Sequence, residues 1–220
     1  FLGITQYMSD RKWYDEKFIT RFTDFPLLLR KDTLKRLRAA EVFPNYQSSL
    51  KKDGPSYTWQ HMTAEQHAKL GDFVVTNRKD GKPAAINRDQ LGDRMEQGKI
   101  DPALSHSGKI KLADGSEIEV LTIWDAYQTH LTDYDLDTVA EVTGADKSLI
   151  ERLATDIWET TQAGHSVAIH VGEGINHWFH ATLCNRAQYL PLMLTGQIGK
   201  PGAGCYTWAG NYKAALFQAQ

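Results

Sequence analysis

The stretch that most constrains this chain runs from Ser166 to Thr195. Ser166-Val167-Ala168-Ile169-His170-Val171 is a short apolar run that ends in Gly172-Glu173-Gly174, and a helical pattern follows, with Leu183, Ala187, Leu190 and Leu194 on one face. This predicts a buried strand over 166–171, a tight glycine turn, and a helix over roughly 178–195. Two helices are predicted just upstream, the first capped by Asp137 and ended by Gly144, the second capped by Asp146 and ended by Ala163-Gly164. Leu149, Ile150, Leu153, Ile157 and Trp158 line one face of the second. Helix, strand, glycine turn and helix in that order is the α/β, doubly wound pattern, with a Rossmann-like lobe as its simplest form.

The remainder is organised differently. Residues 1–43 read as helix-rich, with Tyr14, Phe18 and Phe22 at helical spacing and a basic helix over Lys31–Ala40 that turns Leu34 and Leu37 inward. Residues 44–134 read as an irregular insertion, with turn signals at Asp53-Gly54-Pro55, Asp80-Gly81 and Asp101-Pro102 and a short helix between Thr63 and Gly71. Within it, Ile110 and Leu112 alternate with polar residues, Asp114-Gly115 turns, and Ile118 and Val120 alternate again, which predicts a β-hairpin over 109–120. Ile123, Tyr127 and Leu131 then predict a helix. Residues 135–220 form the third part.

The net charge of −2, and basic runs no longer than Lys51-Lys52, argue against a nucleic-acid partner. No apolar stretch reaches the roughly 18 residues of a membrane span. Two cysteines 21 positions apart, Cys184 and Cys205, cannot by themselves organise a zinc or iron–sulfur site, and are expected as buried free thiols. Phe1-Leu2-Gly3-Ile4 has no initiator or leader pattern and reads as the interior of a longer protein.

A strand ending in Gly-x-Gly lets backbone approach a ligand, and ligands of such sheets bind at the carboxyl ends of the strands. Alone, Gly172 and Gly174 are equally explained by steric needs of the turn. Asn176, His177 and His180 add donors and acceptors suited to a heterocycle rich in nitrogen and oxygen, although Asn176 could instead cap the helix and the histidines bond nearby carbonyls. His177 and His180 have a usable metal spacing but no carboxylate or third histidine nearby in sequence. The run from Gly196 to Gly204, which includes Gly199, Gly202 and Gly204, is so poor in side chains that its backbone must lie against another strand or a flat cofactor.

Leu194-Thr195-Gly196-Gln197-Ile198-Gly199-Lys200-Pro201-Gly202-Ala203-Gly204, set about twenty-five residues after a strand and glycine turn, resembles the cofactor loop of the molybdopterin oxidoreductases, the dimethyl sulfoxide reductase superfamily. Val139–Gly144 and Ile150–Ala154 resemble it too. Gly174-Ile175-Asn176-His177-Trp178-Phe179-His180 is similar to a motif of respiratory nitrate reductase alpha subunits and of nitrite oxidoreductase catalytic subunits, as are Trp208–Ala214 and Arg21–Leu28.

That resemblance implies molybdenum held between two molybdopterin guanine dinucleotides, with a 4Fe-4S cluster and the metal's aspartate ligand outside this segment. It implies nitrite or nitrate as substrate, an iron–sulfur electron-transfer subunit and a haem subunit as partners, and a prokaryotic membrane-associated complex whose membrane side this segment does not set. The expected roles are backbone approach to the cofactor at Gly172 and Gly174, hydrogen bonds from Asn176 and His177, loop shape at Gly199, Gly202 and Gly204, and a position near the metal pocket for Gly210 and Asn211, with Asn211 on the oxyanion. Chlorate, perchlorate, selenate or a hydrocarbon fit the same class. A plain nucleotide-binding module would need a complete Rossmann fingerprint with an acidic residue beyond the next strand, which is missing here. A non-catalytic interaction domain is favoured only if the intact protein begins at Phe1.

Overall fold

A computed structural model describes residues 1–48, 72–87, 90, 92, 95 and 99–207. The expected helix between Thr63 and Gly71, the Asp53-Gly54-Pro55 turn, and Gly210, Asn211 and the rest of the Trp208–Ala214 motif lie outside the described residues. The protein is a mixed α/β chain with small sheets. It forms two compact units, one gathering Phe1–Asp15 with Leu131–Gln220 and the other covering Glu16–His130.

In the second unit, α2 (Glu16–Phe22) leads to β1 (Leu28–Arg30), α3 (Ala39–Val42), β2 (Phe73–Thr76), β3 (Pro83–Ile86), β4 (Ser107–Lys111), β5 (Glu117–Thr122) and α4 (Ile123–Leu131). An antiparallel sheet in the order β1-β5-β4 and a β2-β3 hairpin carry the unit. The β4–β5 hairpin forms where expected. Ile110 pairs with Ile118, and Gly115, at φ 89°, supplies the left-handed turn residue. Val120, Ile110, Leu28, Leu37 and Val74 close a core on one face.

The helix expected over Lys31–Ala40 does not form. Leu34 sits at φ 53° and is exposed, Leu29 bridges Arg36, and the Arg30 amide donates to the Lys35 carbonyl. Pairing to β1 satisfies backbone groups that a helix would have satisfied locally, and helix begins only at Ala39. Leu37 is buried as expected.

The first unit holds α1 (Leu2–Asp10), a 3₁₀ turn (Thr132–Tyr134), α5 (Leu136–Thr143), α6 (Lys147–Gln162), β6 (Ala168–Val171), α7 (Glu173–Asn176), α8 (Ala181–Leu194) and β7 (Gly204–Thr207). Asp135, not Asp137, caps α5, accepting from the amides of Asp137 and Thr138, while Asp137 pairs with Lys147 at 2.7 Å. Gly144 closes α5 in the left-handed conformation, and Asp146 caps α6 through the Ser148 amide. Thr138 and Ser148 hydroxyls, bonded to the caps, hold Asp135 and Asp146 below the ordinary carboxylate range.

Helix α1 is the hub of this unit. It packs on α6 and α8, with Met8 and Ile4 buried, and beyond its end Trp13 stacks on Trp158 with centroids 6.0 Å apart. Gly3 has a packing reason, since a Cβ there would come within 2.9 Å of Val139. The inward face of α6 is narrower than its sequence pattern. Ala154 and Ile157 are buried, but Leu149 and Leu153 are exposed because among the described elements chiefly α1 and α5 cover the helix. Likewise Leu192 and Leu194 are buried on α8 while Leu183 is exposed.

Candidate functional site

The sequence predicts a buried β6, but Ala168 and His170 are exposed, Ile169 is half-buried and Val171 alone of the four is fully buried. The reason is its neighbourhood: among the described residues β6 pairs only with β7. The pairing is parallel, Ala168 facing Gly204 and Val171 facing Thr207. Both strands therefore finish side by side, and α8 is the crossover that returns the chain from one end of the pair to the other.

This topology separates the two glycine-rich elements. Gly172, Gly174, Asn176 and His177 follow Val171 and lie together at the carboxyl ends of the strands. Gly199, Gly202 and Gly204 lie at the opposite, amino end, where the chain enters β7. Between them stands α8, whose 14 residues span about 21 Å at 1.5 Å per residue.

At the carboxyl end, Gly172 is extended (φ −109°, ψ 179°), and Gly174 sits within the one-turn helix α7. Neither has a positive φ, and a Cβ at either would meet nothing within 4 Å. No need internal to the described chain accounts for a glycine at these two positions. The Asn176 Oδ1 accepts from Asn185 Nδ2 at 2.6 Å, and the same nitrogen donates to the Ala181 carbonyl at 3.0 Å. The Asn185 Oδ1 is buried and unpartnered among the described residues. His177 is exposed. His180 holds a left-handed backbone (φ 63°) as the N-cap of α8, its ring against Phe179 with centroids 4.0 Å apart. Asn185 was not singled out from the sequence, because it is brought to Asn176 only by the turn between α7 and α8.

At the amino end, Gly196, Gly199, Gly202 and Gly204 have φ of 66°, 84°, 76° and 115°, so the backbone itself requires glycine there. Gln197 is buried, its Oε1 accepting from the Val167 amide at 3.1 Å and its Nε2 donating to the Thr195 carbonyl at 3.0 Å. Lys200 Nζ donates to the carbonyls of Gly164 and His165 at 3.1 and 2.8 Å. Ser166 Oγ donates to the Pro201 carbonyl at 2.9 Å. These three anchors could not be read from spacing, since each reaches a main-chain atom 30 to 36 residues away.

Both cysteines are free, as expected, but neither is buried: Cys184 is exposed and Cys205 half-buried. A hydrogen bond with Cys205 pushes the Tyr189 hydroxyl above its ordinary titration range. Among the described residues no group of three or more His, Cys, Asp or Glu could hold a metal ion, and no helix is long and apolar enough to cross a membrane. A groove of about 740 Å³ opens beside the turn, walled by Leu2, Val139, Val142, Ile175, Trp178 and Leu183 among others. Its apolar walls do not suit an anion.

No protein-family model matches this chain. Individual proteins match along nearly all of it. It is 29% identical over 217 residues, 98% of its length, to the respiratory nitrate reductase subunit alpha of Haloferax mediterranei. It is 30% identical over 218 residues, 96% of its length, to the perchlorate reductase subunit alpha of Dechloromonas aromatica, and 22% identical over 217 residues, 99% of its length, to the dimethylsulfide dehydrogenase subunit alpha of Rhodovulum sulfidophilum. The aligned region makes up 20%, 22% and 21% of these three relatives. The chain fits a fragment of the molybdopterin oxidoreductases. Its similarity lies with their alpha subunits, of which it spans about a fifth.

Proposed function

We propose that this chain is a cofactor-holding part of the catalytic subunit of a molybdenum-dependent nitrate reductase or nitrite oxidoreductase. One observation carries the reading: similarity over 96–98% of the chain to proteins named for nitrate and perchlorate reduction. The geometry at the carboxyl ends of β6 and β7 supports it. Among the described residues Gly172 and Gly174 have no internal reason to be glycine, so an approaching ligand is a reason that remains. Asn185 Oδ1 is a buried acceptor unpartnered among the described residues, and the amino groups of a pterin or guanine are donors it could accept from. The residues present therefore fit a molybdopterin guanine dinucleotide.

When bound, the cofactor supplies oxygen-atom transfer, nitrite and water giving nitrate, two protons and two electrons, or the reverse. The chain's own residues hold and orient it. Gly172 and Gly174 expose main chain. Asn176, fixed by Asn185, and His177 present hydrogen-bonding groups beside it. Thr207 faces Val171 across the strand pair, so the chain leaves β7 at the same end. On sequence grounds Gly210 and Asn211 line the oxyanion pocket. The β6–α8–β7 unit is the start of a Rossmann-like lobe, because parallel strands are stable when further strands and helices cover them. A 4Fe-4S cluster, an iron–sulfur partner subunit, a haem subunit and a membrane-associated complex belong to the same reading.

The test is molybdenum and guanine-nucleotide analysis of the full-length protein, with rates for nitrate reduction and nitrite oxidation. One molybdenum with two guanine nucleotides per subunit, and turnover of either ion, is expected. Absence of both cofactor components would remove the reading. Full loading with turnover of chlorate, perchlorate, selenate or a hydrocarbon alone would keep the class and change the substrate.

A further inference from the structure

We infer that Lys200 and Gln197 are positioning residues, whose side chains lock β7 into register beside β6 and so fix where the chain leaves Thr207 next to Gly172. This rests on the cofactor-holding role proposed for that end of the strands. Among the described residues strand β7 has little else to hold it. It is four residues long, Tyr206 and Thr207 are exposed, and β6 is its sole strand partner among the described residues. It is entered through a loop with four positive-φ glycines, a segment that gives up more conformational freedom on folding than any other composition.

Three side chains offset that freedom, and all three cross between the loop and the stretch that leads into β6. Lys200 spans the carbonyls of Gly164 and His165, just past the end of α6, where the negative pole of the helix adds to the attraction. Gln197 is buried and uses both ends of its amide, one on Val167 and one on Thr195. Ser166 reaches Pro201. Half-buried Lys200 bridges two main-chain carbonyls past the end of α6, and buried Gln197 ties two separate segments. Together they fasten the entry of β6 to the entry of β7. A slip of one residue in β7 would displace Thr207 by about 3.3 Å and turn its side chain to the opposite face of the pair.

The experiment uses the full-length protein with Lys200→Met, Lys200→Arg and Gln197→Met. Molybdenum per polypeptide is followed through prolonged dialysis, with hydrogen exchange of Gly204–Thr207 and the thermal midpoint measured alongside. Both methionine variants should lose molybdenum about fivefold faster, the effect of one charge-assisted or buried hydrogen-bond set. They should also exchange faster at Gly204–Thr207, keep a near wild-type midpoint, and in the lysine case be restored by arginine, which can also donate to two carbonyls. Unchanged retention and exchange in both methionine variants would overturn the inference. So would losses that track a lowered midpoint and are not restored by arginine, since these report fold stability alone. A wild-type protein without molybdenum would sink the cofactor reading instead, and exchange at Gly204–Thr207 alone would then decide the register role.

Discussion

The two glycine-rich elements of the first unit resemble each other in sequence and differ in why they need glycine. From Gly196 to Gly204 the requirement is conformational, with four glycines at φ between 66° and 115° and polar side chains tying the loop down. At Gly172 and Gly174 the backbone is of an ordinary kind and the space beside it is open. One element is explained by the chain itself, while at the other nothing among the described residues calls for glycine. Counting glycines cannot separate these cases, and neither can room for a Cβ, which is open at Gly199 and Gly204 too, but the sign of φ can.

The largest test of this contrast replaces Gly199, Gly202 and Gly204 together by alanine. Each alanine is forced into a sparsely populated backbone region, at about 1–3 kcal/mol apiece, so denaturant unfolding of the full-length protein should show several kcal/mol of lost stability. A loss under about 1 kcal/mol would mean that the loop relaxes freely and that the contrast is empty. Next comes Gly172→Ala. It should leave the stability of the cofactor-free protein within about 0.5 kcal/mol, yet lower molybdenum retention about tenfold, as substitutions supporting a metal centre do. Equal retention would remove Gly172 from the cofactor surface.

Asn185→Ala deletes the orphan acceptor and the support of Asn176, and should weaken retention about fivefold. If the unpaired atom faces no ligand, the same substitution should instead leave retention intact. The smallest effect is expected from the exposed His177, where alanine should lower retention about twofold, near the value of a solvent-facing hydrogen bond. Normal molybdenum content with an unaltered potential would count against any role for it. Preparing the protein without molybdate sharpens the same comparison. Amide exchange should rise across Gly172–His180 and stay unchanged across Gly196–Gly204, and a rise at both would join the two elements into one site.

How much of this was legible beforehand depended on whether the cause was local. The Asp114-Gly115 hairpin, the Gly144 stop and the Asp146 cap were readable because each is decided within a few residues. The helix expected at Lys31–Ala40 failed because Leu29 and Arg36 pair across a turn, a contact that a helical periodicity does not register. Asp137 was mistaken for the cap that Asp135 provides, a two-residue error between neighbouring aspartates. The β2–β3 hairpin went unseen although Phe73-Val74-Val75-Thr76 and Asp80-Gly81 signal it. At the candidate site, Gly172 to His177 stand together in space because they are consecutive in sequence. That Gly199, Gly202 and Gly204 stand at the other end of the strands follows from the parallel pairing of β6 with β7, which no single-residue pattern encodes.

Helix α8, set between the two elements, has an evolutionary consequence. On the proposed reading ligand contacts gather at its near end, and apart from Gln197 and Lys200, which reach that end through β7, mutations at the two ends have few shared neighbours and should act nearly additively. Residues 172–180 can then drift while the positive-φ glycines of the 196–204 loop keep that end folded. A lineage built on this arrangement could explore many oxidants on one scaffold, and grafting the 172–180 segment of a relative into this chain is the exchange it should tolerate best.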